Sequence, residues 1–210
     1  GLEKGPLKMN VWMWTILGFF AGSIPFSMGI SKLVAKRDIR TIADGNPGSM
    51  NVGKVLGWRW FLIALLLDAL KGFIPVGFAY FRGGMDGWQL FPIVLAPVLG
   101  HAFSPWLKFR GGKAVATTFG VWFGLILWNA GFILGAALLL MVKIVKGSGW
   151  ALMAAFSLFG IFLALFYFPD HPEWLYIWLG NALIFIIKHW QELGETPSLQ
   201  PWLLKRLKRQ

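Results

Sequence analysis

Residues Trp58–Phe81 read WRWFLIALLLDALKGFIPVGFAYF, a run that is apolar almost throughout. A transmembrane helix needs roughly 20 predominantly apolar residues, and this run is long enough to be one. The composition agrees, because 57% of the 210 residues are hydrophobic and only 14% are charged. Soluble proteins average about 45–50% apolar and about 25% charged residues, so a soluble fold of this length could not cover so much apolar surface. The sequence therefore predicts an all-α integral membrane protein.

Six further apolar runs have the length, or nearly the length, of a membrane span. They are residues 11–35, 88–107, 114–128, 130–145, 150–168 and 174–188. Together with residues 58–81 they predict a polytopic protein with seven transmembrane helices. The fourth and fifth runs are short. Residues 129–131 between them (Asn-Ala-Gly) are either a tight turn or an interruption within one helix, and the second alternative gives six spans.

Basic residues are concentrated on one side of the seven-span arrangement. The loops 36–57, 108–113 and 146–149 and the segment after Lys188 carry most of the Lys and Arg residues, whereas the connection 169–173 has none. Cytoplasmic loops of membrane proteins are enriched in Lys and Arg, so we expect the N-terminus outside and the C-terminus in the cytoplasm. Six spans would divide the basic loops between both faces, and the charge pattern therefore favours seven.

The predicted organisation is one integral membrane domain, residues 1–210, of the inner-membrane type, with its polar loops in the cytoplasm. It would consist of an N-terminal tail (1–10), a seven-helix core (11–188) and a basic cytoplasmic tail (189–210). The opening apolar run continues to residue 35 without a small-residue cleavage signal, so we expect a retained span and not a signal peptide. Residues 203–210 combine Leu with Lys and Arg, which is typical of a segment that lies on anionic lipid.

The composition also narrows the chemistry. The chain has no cysteine, and its three histidines, His101, His171 and His189, are far apart in sequence, so we expect no metal site. The formal net charge is +11. In a chain made mostly of membrane spans, this charge favours anionic lipids and small anionic substrates over nucleic acid. The sequence has no Walker A motif, and no cofactor is implied.

The first candidate site segment is the polar, glycine-rich stretch 38–57, which we expect to be an irregular loop. Glycine lets the backbone approach a ligand closely, and successive amide groups can form a nest for an anion. Arg40 and Lys54 add positive charge, and Asn46 and Asn51 add neutral hydrogen-bond donors. A plain connecting loop is the alternative, although irregular stretches of this length are uncommon unless they are functional.

The second candidate segment ends one predicted span and begins the next with Gly111, Gly112 and Lys113. A helix N-terminus offers unpaired amides and the positive end of the helix dipole, and a lysine adds an ammonium group, so the combination can hold a phosphate. Gly-Gly-Lys alone is a weak signal. His101, at the end of the preceding span, is a candidate acid or base. Alternatively, its ring is satisfied by a neighbouring carbonyl group.

An acidic and a basic residue fall in the middle of the predicted span 58–81. Asp68 and Lys71 are three residues apart, so they share a helix face and can pair with each other. Ionisable groups inside a membrane segment are costly, and they usually face a polar interior or each other. The pair either holds helices together or lines the site.

Taken together, these segments resemble one family, the bacterial acyl-phosphate-dependent glycerol-3-phosphate acyltransferases (the PlsY family). The resemblance runs in the same order along roughly residues 14–190. The motifs that carry it are Gly-Ser-Ile-Pro-Phe (22–26), Asp-Ile-Arg (38–40), Gly-Asn-x-Gly-x-x-Asn (45–51), Leu-Gly (56–57), Asp-x-x-Lys-Gly (68–72), Gly-His (100–101), Phe-x-Gly-Gly-Lys (109–113), Val-Ala-Thr (115–117) and Lys-His (188–189).

The resemblance implies seven membrane helices, an external N-terminus and cytoplasmic active-site loops. It implies transfer of a fatty acyl group from acyl phosphate to the 1-hydroxyl of glycerol 3-phosphate, which gives lysophosphatidic acid for phospholipid synthesis, without a metal or nucleotide. The implied catalytic residues are His101, His189 and Lys113, with the histidines orienting the glycerol or moving a proton. The implied phosphate-binding residues are Arg40, Asn46, Asn51, Lys54, Gly111, Gly112 and Lys113.

Several positions depart from the family pattern. The family's Gly-Ser is Ala43-Asp44 here, its Arg is Lys54, the last glycine of Gly-Gly-Lys-Gly is Ala114, and an Asn near the C-terminus is Glu192. A carboxylate beside a phosphate site repels the ligand unless a cation offsets it, and lysine lacks the bidentate fork of arginine. The residues that we expect to line the site are Asp44, Asp68, Lys71 and Glu192.

These departures leave a second function open. The chain is either an active membrane acyltransferase or a catalytically altered or inactive homologue. In the second case it would serve as a structural or lipid-binding subunit of a membrane protein complex, with other membrane proteins as partners.

Overall fold

The computed structural model describes residues 9–207, with the backbone alone for Leu207. The chain divides into two compact units, Gly1–Leu127 and Trp128–Gln210. The described residues are predominantly helical, as predicted, and they differ from an all-α fold only by one two-residue strand pair in the second unit. The assignment of residues 1–210 to a single membrane domain stays a prediction.

The first unit contains six α-helices, together with short 3₁₀ and π-helical turns, within residues 9–127. The α-helices are α1 (Val11–Ser23), α2 (Phe26–Ile30), α3 (Ser49–Leu56), α4 (Trp58–Phe81), α5 (Leu90–Ala102) and α6 (Val115–Ile126). The turns are a π-helical one at Ser31–Ala35 and 3₁₀ ones at Ile39–Thr41, Gly87–Gln89 and Pro105–Leu107.

The second unit contains five α-helices and the strand pair within residues 128–207. They are α7 (Trp128–Ile144), β1 (Val145–Lys146), α8 (Ser148–Phe166), α9 (Pro172–Lys188), α10 (Trp190–Leu193), β2 (Ser198–Leu199) and α11 (Pro201–Leu207). The strands are antiparallel, with Val145 opposite Leu199 and Lys146 opposite Ser198. The predicted lipid-binding segment 203–210 overlaps α11, and residues 208–210 lie outside the described part of the chain.

Four helical segments among the described residues are long and apolar enough to cross a membrane. They are Val11–Ala35, Trp58–Phe81, Gly87–Leu107 and Ser148–Phe166. The helices α6 and α7 are apolar but shorter. Large apolar side chains on these helices are exposed, as expected of surfaces that contact lipid and not water: Leu66 is 60% and Phe166 68% exposed. The count of seven spans stays a prediction.

The first of these segments is not one continuous α-helix. α1 ends at Ser23 and α2 begins at Phe26, because Pro25 has no amide hydrogen with which to continue the ladder. The carbonyl oxygen of Ile24, which the break leaves without a helical donor, accepts a hydrogen bond of 2.8 Å from the Lys71 ammonium group on α4. A buried cation thus satisfies the backbone at the break.

Glycines let helices of the first unit approach one another closely. A Cβ atom on Gly100 of α5 would overlap the carbonyl oxygen of Phe19 on α1, and one on Gly120 of α6 would overlap the carbonyl oxygen of Ala69 on α4. Small residues at helix contacts are typical of membrane proteins, where close backbone packing replaces the hydrophobic effect between helices. These contacts fix α4, and with it Asp68, against α6.

The prediction that residues 38–57 form an irregular loop was wrong for their second half. Ser49–Leu56 form α3, although this segment contains glycine and asparagine, which are poor helix formers. The helix is stabilised by burial: Val52 is fully buried in a cluster with Met28, Ile39, Ala64 and Leu107. Tertiary packing therefore overrides a weak local preference.

The predicted break at residues 129–131 lies slightly earlier in the structure. α6 ends at Ile126, Leu127 has a left-handed φ of 53°, and residues 129–131 are part of α7. The helical pattern is therefore interrupted at Leu127 and not at the Asn-Ala-Gly sequence.

Candidate active site

An ion pair joins the two glycine-rich segments of the first unit. The Lys113 ammonium group donates a hydrogen bond of 2.6 Å to Oδ2 of Asp44. Partial burial raises the pKa of Asp44, but the hydrogen bonds from Lys113 and Asn51 outweigh this effect and lower the pKa to about 2. The carboxylate is therefore ionised at neutral pH. It offsets the charge of Lys113. The sequence analysis requires a cation beside a carboxylate at this position, and Lys113 is that cation.

The other oxygen of Asp44 holds its own loop together. Oδ1 accepts hydrogen bonds from the Asn46 backbone amide (3.2 Å) and from Nδ2 of Asn51 (2.9 Å). The Asn51 amide group also donates to the carbonyl oxygens of Ile42 (3.1 Å) and Asn46 (2.9 Å), and its side chain is almost completely buried. The donors of Asn51 thus point into the loop, and this arrangement favours loop support over the expected contact with phosphate.

The Gly-Gly-Lys segment packs against His101. The Gly112 amide donates to the His101 carbonyl oxygen (3.2 Å). A Cβ atom on Gly111 would overlap that same oxygen, and one on Gly112 would overlap the imidazole ring. α6 begins only at Val115, so the glycines form a turn before the helix and not its first residues. His101 therefore packs against this turn and supports it. The Gly112 amide already donates to the His101 carbonyl oxygen.

A buried cluster surrounds Asp68. Its Oδ1 atom lies 2.8 Å from the Lys71 ammonium group and 3.8 Å from Nδ1 of His101, and its Oδ2 atom accepts a hydrogen bond of 2.9 Å from Ser27. The Asp68 backbone carbonyl oxygen accepts from the Thr117 hydroxyl (2.9 Å). All five side chains are buried. Because they come from α2, α4, α5 and α6, the geometry favours the structural alternative for Asp68 and Lys71.

Arg40 is held by Asp38, which the sequence analysis named only as the first residue of the Asp-Ile-Arg motif. Its Nη2 atom lies 2.6 Å from Oδ2 of Asp38, and its Nε atom lies 3.0 Å from Oδ1. These hydrogen bonds lower the pKa of Asp38 to about 2. Asp38 also accepts from the Arg40 backbone amide at the start of a 3₁₀ turn, a pattern that the sequence could have revealed. Lys54, the other predicted cation, is exposed on α3.

In the second unit, His189 is buried at the end of α9. Its Nδ1 atom lies 3.0 Å from the Phe185 carbonyl oxygen. A carbonyl oxygen can only accept, so Nδ1 carries the hydrogen in this pairing. In the neutral ring, Nε2 then has the lone pair. The hydrogen bond to Phe185 thus holds the His189 ring at the end of α9.

Glu192 lies three residues further along the same unit. Its Oε2 atom accepts a hydrogen bond of 2.5 Å from the Ser148 hydroxyl at the start of α8. A Cβ atom on the adjacent Gly149 would lie 2.9 Å from Cβ of Glu192. A carboxylate is favourable at the positive end of a helix dipole. Sequence reasoning missed Ser148, because a contact between residues 44 positions apart leaves no local pattern.

The structure thus brings Asp44, Asn46, Asn51 and Lys113 together in the first unit. A sequence model of the family described as "Glycerol-3-phosphate acyltransferase" matches residues 12–196. The chain belongs to this family. The assignment made from the ordered motifs is therefore confirmed.

Individual relatives agree with the family model. Glycerol-3-phosphate acyltransferase 1 of Thermotoga maritima is 34% identical over 197 residues, which cover 88% of this chain and 96% of that protein. The glycerol-3-phosphate acyltransferase of Desulfovibrio desulfuricans is 33% identical over 186 residues, which cover 89% and 81%.

A solved structure shares the fold. The crystal structure of PlsY (YgiH), an integral membrane glycerol 3-phosphate acyltransferase, in its glycerol 3-phosphate form has a TM-score of 0.79 at 31% identity and covers 88% of this chain and 90% of that chain. The lysophosphatidic acid form of the same protein gives a TM-score of 0.76 at 30% identity. The predominantly helical, integral membrane fold is thereby confirmed.

Two departures from the family pattern lie where the backbone is left-handed. Ala43 has φ 50° and Ala114 has φ 61°, and the family pattern has glycine at both positions. Glycine adopts this conformation readily, whereas a Cβ atom makes it cost roughly 1–2 kcal/mol. Both loops of this chain therefore hold an alanine in a strained backbone conformation.

Proposed function

We propose that this chain is an acyltransferase that moves a fatty acyl group from acyl phosphate to glycerol 3-phosphate and so forms lysophosphatidic acid for phospholipid synthesis. The observation that carries the proposal is the position of Lys113. The glycine turn before α6 brings its ammonium group to the other glycine-rich segment, residues 38–57, at Asp44. Membership of the family and the names of the relatives support the same reaction.

The reaction forms one ester bond and breaks one acyl phosphate bond. The hydroxyl oxygen of glycerol 3-phosphate attacks the acyl carbonyl carbon, and inorganic phosphate leaves with the bonding electron pair. A preorganised cation stabilises the charge that develops on the leaving phosphate, and we assign this role to Lys113. The hydroxyl proton passes to a general base, a role that the family resemblance assigns to the histidines.

The remaining residues fall into two groups. We assign the second phosphate to Arg40 and Lys54, with Arg40 exchanging Asp38 for the ligand. His101, Gly112 and Asn51 hold the two loops in place and do not contact the phosphate. Their internal hydrogen bonds support this division.

We further propose the membrane arrangement that the charge pattern favours. The chain crosses a bacterial inner membrane seven times as one domain, with the N-terminus outside and the C-terminus in the cytoplasm. The loops 36–57 and 108–113 then face the cytoplasm, where phosphorylated substrates are available, and the basic tail lies on anionic lipid. The excess of Lys and Arg in these segments supports this orientation.

The reaction can be tested with purified protein in liposomes. Phosphate release from acyl phosphate is expected only when glycerol 3-phosphate is present, with lysophosphatidic acid formed in equal amount. Lys113→Met should lower kcat/KM by about 100-fold or more, because it removes the cation from the leaving group. Lys108→Met, an exposed lysine in the same loop, is the matched control and should retain wild-type activity.

The same assay decides the alternative function. Asp44 and Glu192 place carboxylates where the family pattern has neutral side chains, and this observation favours a non-catalytic subunit of a membrane complex. An absence of turnover in the native protein, together with turnover gained in Asp44→Ser, would favour that alternative over the active enzyme.

A further inference from the structure

The two carboxylate oxygens of Asp44 have different partners. Oδ1 accepts hydrogen bonds from the Asn46 amide and from Asn51, and it therefore holds the loop. Oδ2 accepts from the Lys113 ammonium group at 2.6 Å. One side chain is thus both a support for the loop and a counterion for the lysine.

A phosphate that binds Lys113 meets this carboxylate in one of two ways. If the phosphate displaces Oδ2, a charge-assisted hydrogen bond is lost. If it binds beside Oδ2, two anions share one ammonium group and repel each other. The Asp44 side chain is 46% exposed, so water screens the repulsion without removing it. In both cases the carboxylate opposes phosphate binding.

We infer that Asp44 is a built-in anion that competes with the substrate phosphate for Lys113 and lowers the affinity of the site for phosphate. The inference rests on the proposed function, because it concerns the same lysine. A neutral side chain at this position leaves the full charge of Lys113 for the ligand. The site of this chain therefore binds phosphate more weakly than it would with a neutral side chain at position 44.

The isosteric variant Asp44→Asn separates the two roles of the side chain. Its amide oxygen can take the place of Oδ1 and keep the hydrogen bonds from Asn46 and Asn51. Its NH₂ group, in the place of Oδ2, cannot accept from Lys113. We expect the KM for acyl phosphate, whose phosphate is assigned to Lys113, to fall by about five-fold or more, with kcat within about two-fold of wild type. The Kd for inorganic phosphate, measured by calorimetry in detergent, should fall by a similar factor.

Three further variants control this experiment. Asp44→Ser introduces the residue of the family pattern and gives a second test if the Asn variant does not fold. Asp170→Asn removes one negative charge elsewhere, from an exposed position, and should change neither KM nor Kd. In the Lys113→Met background, Asp44→Asn should no longer tighten phosphate binding, because the competition requires the ammonium group.

Turnover and binding answer separate questions. Phosphate release by the wild type decides the proposed function, whereas calorimetry with inorganic phosphate decides the inference even in an inactive protein. If phosphate binds equally tightly or more weakly in both Asp44 variants, Asp44 positions Lys113 and does not compete for its ligand, and the inference is wrong. Tightening that persists without Lys113 would also overturn it.

Discussion

Asp44 and Asp38 each hold a cation that the family resemblance assigns to phosphate binding. The Asp38–Arg40 pair is local and follows from a capped 3₁₀ turn. The Asp44–Lys113 pair joins residues 69 positions apart, so only folding creates it. At the residue scale, the charge available to a phosphate therefore depends on which carboxylate pairs with which cation. The backbone of the two loops determines this pairing.

The strained backbone at Ala43 gives a prediction at the same scale. Ala43→Gly should stabilise the protein by about 0.5–1 kcal/mol, because glycine accepts the positive φ and the exposed methyl group contributes no burial. Thermal unfolding in detergent measures the change. Ala136→Gly, on the exposed face of α7, is the matched control and should lower stability by about 1 kcal/mol. Equal effects of the two substitutions would contradict the assignment of strain.

At the scale of elements, α4 organises the first unit. Asp68 accepts from Ser27 of α2, its backbone carbonyl oxygen accepts from Thr117 of α6, and Lys71 satisfies the Ile24 carbonyl oxygen at the break between α1 and α2. His101 of α5 lies against the same carboxylate and under the Gly-Gly-Lys turn. The buried ion pair thus links the broken first segment to the turn that presents Lys113.

Removal of Lys71 should therefore weaken the packing of α4. We expect Lys71→Met to destabilise the protein by about 3 kcal/mol, because it leaves a buried carboxylate without its cation and removes one of the two hydrogen bonds to the Ile24 carbonyl oxygen. Lys32→Met, at an exposed position of the π-helical turn, should cost less than about 0.5 kcal/mol. The measurement is thermal unfolding in detergent. Similar stability of the two variants would show that the pair does not hold the helices.

At the scale of the whole molecule, the candidate residues are divided between two compact units. Lys113, His101 and Arg40 belong to the first, and His189 and Glu192 belong to the second. The family match runs through both units, from residue 12 to residue 196. Long apolar helices occur in each of them. The family relationship is therefore carried by both units.

The membrane orientation is testable because the chain has no cysteine, so single introduced cysteines report without background. With seven spans, a membrane-impermeant maleimide should label Asp86→Cys and Asp170→Cys in intact spheroplasts. Lys36→Cys and Lys146→Cys should react only after permeabilisation. All four positions are exposed. Six spans would reverse the result at positions 146 and 170 and leave the other two unchanged.

The sequence by itself determined the membrane class, the helical fold and the family. The length of the apolar runs, the charge of the loops and the order of the motifs are local properties or sums along the chain. They can therefore be recognised without knowing which residues are in contact. Tertiary structure alone decided that Ser49–Leu56 is a helix, since burial of Val52 outweighs its weak propensity. It also decided that Asp44 neutralises Lys113 and that Glu192 meets Ser148. An ion pair or hydrogen bond forms only where the fold brings two groups to within about 3 Å, and that distance is not encoded in their separation along the chain.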